Sequence, residues 1–365
     1  MAYTTVDDPT QYFNTITWTG DIVDSDGTGH DQSVTGVGFQ PDWLWHKCNS
    51  HANQHFIVDS QRGTGGGSTM LYMSTQDNNA ESNNNTNGAI ESIDSDGYTV
   101  TSGNDSSSKS NNAGANGRTY VAWNWLAASS ASNNGDGDIT SSIRHNSTAG
   151  FSLGTYTGSG TAGDTVGHGL GANPDVLIVK ERGNTNSWVY SHKGLTNQSG
   201  YYMLLNTADG EATDNWFNNT SHTTSVFSTN STPTNRSSGT YVFYAFKEIQ
   251  GYSKFGKYAG NGNADGAFVY TGFRPAWIMI KKYTSGSDEW NIFDNKRDPF
   301  NVMTKRLVGN VSAADAAGTY IDFLSNGFKC RTSNNLANGS GSSYVYMCFA
   351  ENPFVNSNGI PVNAR

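Results

Sequence analysis

Tyr120-Val121-Ala122-Trp123-Asn124-Trp125, Tyr241-Val242-Phe243-Tyr244-Ala245-Phe246 and Tyr344-Val345-Tyr346-Met347-Cys348-Phe349 are three versions of one strand. Each opens on Tyr and ends on an aromatic ring, and side chains two apart line one face of a strand. Upstream of each lies a second shared strand, entered through a proline that needs no ladder donor there. These are Gly38-Phe39-Gln40-Pro41-Asp42-Trp43-Leu44-Trp45, Gly171-Ala172-Asn173-Pro174-Asp175-Val176-Leu177-Ile178 and Gly272-Phe273-Arg274-Pro275-Ala276-Trp277-Ile278. A third follows as Phe56-Ile57-Val58-Asp59, Trp188-Val189-Tyr190 and Trp290-Asn291-Ile292-Phe293-Asp294, each trailed by a base (Arg62, Lys193, Arg297). The last two strands of each set read as a hairpin.

Working outward, the repeats define a first module at 1–127 with an N-terminal segment, a linker at 128–148, a second module at 149–248, a third at 249–356 and a tail at 357–365. The small, polar residues of 128–148 predict a flexible connector. Only Glu248 to Gly251 separate modules two and three, which are therefore expected close together. Ser95-Asp96-Gly97-Tyr98 and Ser325-Asn326-Gly327-Phe328 are turn signals ahead of the closing strand, and Ser225-Val226-Phe227 is their degenerate counterpart. No stretch carries an uninterrupted 3.6-residue apolar period, so helices should be few and short. The expected fold is all-β: three tandem β-sandwich modules of jelly-roll or lectin-like type.

Composition agrees. Charged residues are 15% of the 365, Gly numbers 42, and 9 Trp, 18 Tyr and 17 Phe supply far more buriable area than a disordered chain has. A net charge of −9 argues against nucleic acid as a partner, since phosphate-backbone binders concentrate Lys and Arg. Neither a signal peptide nor a membrane-inserting stretch is legible. Cys48, Cys330 and Cys348 form no disulfide or zinc framework, which fits assembly in a reducing cytoplasm.

Several motifs recur in one order along nearly the whole chain: Asp7-Asp8-Pro9 with Tyr12-Phe13, Phe39-Gln40-Pro41-Asp42-Trp43, Val58-Asp59-Ser60-Gln61-Arg62-Gly63, Asp94-Ser95-Asp96-Gly97-Tyr98, Gly251-Tyr252-Ser253-Lys254-Phe255-Gly256 and Ala350-Glu351-Asn352-Pro353-Phe354. In these the chain resembles a repeat domain of tail and other virion proteins of marine phages and cyanophages. The resemblance implies a virion structural protein, tail-fibre-like, assembled in the host cytoplasm among other tail or capsid proteins. The favoured expectation is binding to host surface glycan through loops rich in Asn, Ser, Gly and aromatics, with capsid decoration or tail sheathing as the alternative; the resemblance also implies a homo-oligomer, a trimer if a fibre. It supplies no catalytic residues and no cofactor.

Four soft-metal ligands, His46, Cys48, His51 and His55, cluster in module one only, in what reads as the connection between paired strands, so a plain hairpin is preferred to a metal site. Asp24-Ser25-Asp26-Gly27 and Asp94-Ser95-Asp96-Gly97 start like calcium loops but lack the later acidic ligand, and read as turns. Asp59 with Arg62, and Asp294 with Arg297, read as hairpin-end ion pairs; Tyr190 and Lys193 take their place in module two. No Gly-x-Ser-x-Gly elbow is followed by a triad, so no enzyme is expected, and a polysaccharide depolymerase is the remotest reading. Trp43 and Trp45 point opposite to Leu44 and His46, and most rings should be inter-sheet core. Trp216-Phe217, in a polar loop, is the candidate glycan contact, with a loop staple as the plain alternative.

Overall fold

The structure is a computed structural model, and it describes residues 3–23, 30–84, 86–103, 112–127, 130–230, 232–284 and 286–362. The calcium-like Asp24 to Gly27 and the start of the expected linker at 128–129 lie outside the described residues. The chain is all-β, with one turn of 3-10 helix, at Pro9–Gln11, among the described residues.

Module one contains β1 (Phe13–Thr19), β2 (Asp31–Thr35), β3 (Trp43–Cys48), β4 (His55–Asp59), β5 (Tyr72–Met73), β6 (Ala89–Asp94), β7 (Gly97–Thr101) and β8 (Thr119–Trp125). Module two contains β9 (Ser132–Asn134), β10 (Ser141–Asn146), β11 (Phe151–Thr157), β12 (Thr165–Gly167), β13 (Val176–Glu181), β14 (Val189–His192), β15 (Tyr201–Leu204), β16 (Ala212–Thr213), β17 (Val226–Ser228) and β18 (Thr240–Phe246). Module three contains β19 (Ser253–Ala259), β20 (Phe268–Tyr270), β21 (Phe273–Lys282), β22 (Asn291–Asp294), β23 (Met303–Val308), β24 (Ala316–Leu324), β25 (Gly327–Cys330) and β26 (Ser343–Pro353).

One antiparallel order is built three times: β1-β8-β3-β4-β5, β11-β18-β13-β14-β15 and β19-β26-β21-β22-β23. The closing strand of each repeat lies between its first strand and its proline-entered strand. A small second layer covers the outer face: β2-β7-β6 in module one and β12-β17 in module two. In module three the main sheet continues through β24, β25 and β20 and folds back, since Ile321, Phe328 and Val269 share a cluster with Ile278 and Ile280. The degenerate turn explains the thinner layer of module two, where β17 pairs with β12 alone.

The small layers show why Gly97 and Gly327 recur. A Cβ on either would sit 2.0 Å from the Val34 carbonyl oxygen or 2.1 Å from that of Val269. They pair with Thr35 and Tyr270; in module two the pair is reversed, with Val226 opposite Gly167.

The inner faces of the three main sheets meet one another. Val121, Trp123 and Trp125 of β8, Val242, Tyr244 and Phe246 of β18, and Val345, Met347 and Phe349 of β26 belong to one buried cluster, with Trp43, Trp45, Trp188, Trp277 and Trp290. The rings expected between two sheets of a module therefore lie between modules. Phe349 touches its equivalents at the centre, with ring centroids 5.5 Å from Trp125 and 5.9 Å from Phe246. Each indole buried here removes on the order of 200 Å² from water, an upper estimate of roughly 5 kcal/mol. Neither face of a main sheet is left to water, so an isolated module would expose a wall of large aromatic and aliphatic side chains.

The expected flexible connector at 128–148 is corrected. Its described residues include β9 and β10, which extend the module-two sheet beyond β11. Ile139 and Ile143 are buried beneath it, Gln61 donates to Ser142 Oγ at 2.8 Å, and Arg144 faces Asp42 at 3.8 Å. Two apolar residues in a polar stretch are enough to anchor an added edge hairpin.

Candidate functional site

Strand alternation puts the chemistry-bearing residues of β4, β14 and β22 on the inner faces, and the three seams use them in equivalent ways. His55 opens β4, and Trp188 and Trp290 immediately precede β14 and β22. Trp188 Nε1 donates to the Ser74 carbonyl of module one at 2.9 Å, and Trp290 Nε1 to the Leu204 carbonyl of module two at 3.1 Å. His55 Nε2 lies 3.0 Å from the Val308 and Val311 carbonyls of module three. Trp45 Nε1 donates to His55 Nδ1 at 2.9 Å, so the Nε2 hydrogen is the one left for those carbonyls.

The backbone repeats the pattern in the opposite sense. The N–H of Glu81 reaches the Arg182 carbonyl at 2.7 Å, that of Glu211 the Tyr283 carbonyl at 2.9 Å, and that of Asp315 the Asn49 carbonyl at 2.8 Å. Every module thus contacts both others, and the chain closes on itself with pseudo-threefold symmetry. Lys47, Lys180 and Lys281 are fully buried at matching positions, where burial pulls each ammonium down to about 8. Each donates to backbone carbonyls: Cys48 and His51, Glu181 and Asn184, Ala208 and Asp288.

The two Asp/Arg pairs are seam fasteners rather than hairpin-end decorations. Asp59 accepts from Arg62 Nε at 2.5 Å and from the Tyr244 hydroxyl of module two at 2.7 Å. Asp294 accepts from Arg297 Nε at 2.6 Å and from Trp123 Nε1 of module one at 3.1 Å. Pairing registers place His192, not Tyr190, at the equivalent of Asp59 and Asp294: Trp43 faces Asp59, Val176 faces His192, and Trp277 faces Asp294. Three residues on, Leu195 stands where Arg62 and Arg297 do. Trp188 thus occupies the position of His55, and Tyr190 that of Ile57, two residues short of Asp59.

The four soft-metal ligands do not converge, and only His51 lies in the connection: His46 and Cys48 lie on β3 and His55 on β4. Buried His46 faces outward, with Nδ1 3.3 Å from the Tyr98 hydroxyl and Nε2 3.0 Å from the Asn112 carbonyl, whereas His55 faces the shared core. Cys48 is buried and His51 exposed. Burial lowers His46 to about 4 and His55 to about 3. Among the described residues no group of three or more potential ligands is arranged to hold a metal ion. At the other calcium-like stretch, Asp96 accepts from the Gly36 and Gly38 amides and so closes a turn.

Phe217 is fully buried against His222, the loop staple. Trp216 is half-buried and packs on the half-buried Tyr202 at 3.8 Å between centroids, which leaves part of an aromatic face at the surface. A stronger surface feature lies in module three. Phe268 and Tyr270 on β20 are 49% and 55% exposed, on either side of the buried Val269. The equivalent pairs flanking Val34 and Val166 are Ser33 with Thr35 and Thr165 with Gly167. Tyr270 borders a cavity of about 370 Å³ also lined by Tyr3, Lys247, Glu248, Gln250 and Lys254. Tyr3 donates to the Gly272 carbonyl at 2.7 Å, and Glu248 is held by Lys193 and Lys254 at 2.5 and 2.9 Å. A second cavity, about 240 Å³, opens on the seam between modules three and one. No helix among the described residues is long and apolar enough to cross a membrane.

These features define the class: a single chain of three β repeats closed around a common core, with its shared polar residues committed to the seams. The chain belongs to a family described as a domain of unknown function (DUF7483), whose model matches residues 8–353 and so spans all three modules as one unit. No curated protein and no solved structure matches the chain.

Proposed function

We propose that the chain is a non-enzymatic component of a phage particle, in which jelly-roll or lectin-like β modules present a glycan-binding face to the host surface. The observation that carries the reading is the pair Phe268 and Tyr270. Two large rings stand in water at positions where the other modules carry Ser, Thr or Gly, so the strand does not need them to fold. Successive outward residues of a strand are about 6.7 Å apart, which suits stacking on the apolar faces of a sugar chain, with the adjoining Tyr3, Gln250 and Glu248 as hydrogen-bonding groups. Trp216 with Tyr202 is a second, smaller aromatic surface in keeping with the same role.

On this reading one chain does the work of a trimer, because the threefold interface is internal; a sedimentation mass of 39.3 kDa is expected. The direct test is whether the purified chain binds host cells and blocks phage adsorption, and whether Phe268→Ala with Tyr270→Ala abolishes both. A wild-type chain that does neither removes the receptor role. The pseudo-threefold symmetry favours a second reading, a decorating subunit seated on a threefold position of the particle. Immuno-electron microscopy of intact particles separates the two by location.

A further inference from the structure

We infer that the seam between modules three and one carries a separate site for the acidic unit of a polysaccharide, a uronic acid whose carboxylate sits between Lys296 and Lys305. The inference rests on the glycan reading above and names the sugar chemistry. Its first support is charge. In a chain of net charge −9, both lysines are exposed on one cavity, and neither ammonium has an ion-pair partner among the described residues. The neighbouring Arg297 is engaged by Asp294, Asp315 and the Ile292 carbonyl, so its charge is matched by carboxylates and the two lysines are the cations of this cavity left without such partners among the described residues.

The second support is an orphan acceptor. Asn49 lines the same cavity and is only 9% exposed; its amide nitrogen donates to Asp315 at 2.9 Å, while its Oδ1 is buried with no partner among the described residues. A buried acceptor left without a donor costs about 1–3 kcal/mol, so a ligand hydroxyl is wanted there. The exposed Thr17, Thr19 and Thr119 border the same space. Sulfate, which carries no donor, would satisfy the lysines and leave Asn49 Oδ1 unpaired. A hydroxylated carboxylate satisfies both.

The site is peculiar to this seam. The residue equivalent to Lys296 is Gln61 in module one, where its side chain is taken up by Ser142 of β10, and Gly194 in module two, which offers no side chain. The hairpin of β9 and β10 lies outside β11, whereas β1 ends its own sheet and leaves the seam beside it open.

The test is calorimetric titration of the full chain with a linear trigalacturonate, a neutral trisaccharide and inorganic sulfate. Trigalacturonate is expected to bind in a salt-sensitive manner, and Lys296→Ala with Lys305→Ala to weaken it at least about tenfold, the equivalent of ~1.4 kcal/mol. That variant should keep its unfolding midpoint and any neutral-sugar binding, and Phe268→Ala with Tyr270→Ala should keep trigalacturonate binding. Unchanged trigalacturonate binding in the lysine variant, or sulfate binding as well as trigalacturonate, overturns the site. Neutral binding without trigalacturonate binding overturns the site and spares the glycan reading; no binding of either sugar removes both.

Discussion

The seam between modules one and two and the seam between modules two and three solve one packing problem with different chemistry. At the first, the Tyr244 hydroxyl reaches Asp59, which is paired with Arg62, and all three are buried. At the second, the position of Tyr244 is held by Met347, which cannot donate; the carboxylate is replaced by His192 and the arginine by Leu195. His192 Nε2 lies 3.1 Å from the Tyr346 carbonyl, and its Nδ1 accepts from the Gly194 amide at 2.8 Å. Donor, acceptor and counter-ion have changed together. The difference teaches that the seam requires matched partners more than charge, in keeping with the small net gain of a buried ion pair over a neutral replacement and the high cost of breaking one.

The largest effect should come from breaking the charged seam on one side. Asp59→Ala leaves the buried Arg62 guanidinium with the Ile57 carbonyl and, as its one remaining carboxylate among the described residues, Glu81 at 3.7 Å, and should lower unfolding stability by about 3–5 kcal/mol, read from the urea midpoint. Copying the neutral seam in full, with Asp59→His, Arg62→Leu and Tyr244→Met together, should cost about 1–3 kcal/mol. A triple variant as unstable as Asp59→Ala would show that the two seams are not interchangeable.

Acid should separate the seams further. Burial holds His192 down to about 4 and His55 to about 3, against an ordinary value near 6.5. Both groups must therefore be neutral in the folded chain, so the stability they support is complete above pH ~6.5 and falls as pH drops toward those values. Their carbonyl partners, Tyr346 and Val308, both belong to module three, and the seam between modules one and two has no such histidine among the described residues. His46 and His222 are also pulled down to about 4 but lie on the outer faces of modules one and two. Hydrogen exchange near pH 5 should show the seams of module three losing protection before the seam between modules one and two.

The smallest effect on stability, within about 0.5 kcal/mol, is expected for Tyr270→Ala, because its ring is more than half exposed. Unchanged unfolding with lost glycan binding would sharpen the division between seam residues and surface residues. A large loss of stability would place Tyr270 with the scaffold.

Sequence alone determined the three repeats, the strands that carry them, the proline entries and the face on which each aromatic lies. Trp43 and Trp45 opposite Leu44 and His46 was legible because strand alternation is a property of the backbone. The histidine cluster reads as one group in sequence, but strand pairing and alternation put His46 and His55 on opposite faces of one hairpin. The Asp/Arg pairs looked local because each partner lies three residues from the other, while Tyr244 and Trp123, which complete them, come from different modules. The exposed rings of β20 carried a signal, two aromatics where the other repeats have small residues, but reading it requires the register of strands whose sequences differ. Only the tertiary structure decided that three inner faces close on one core. The physical reason is that periodicity fixes which way a side chain points, and what covers it depends on how distant segments pack.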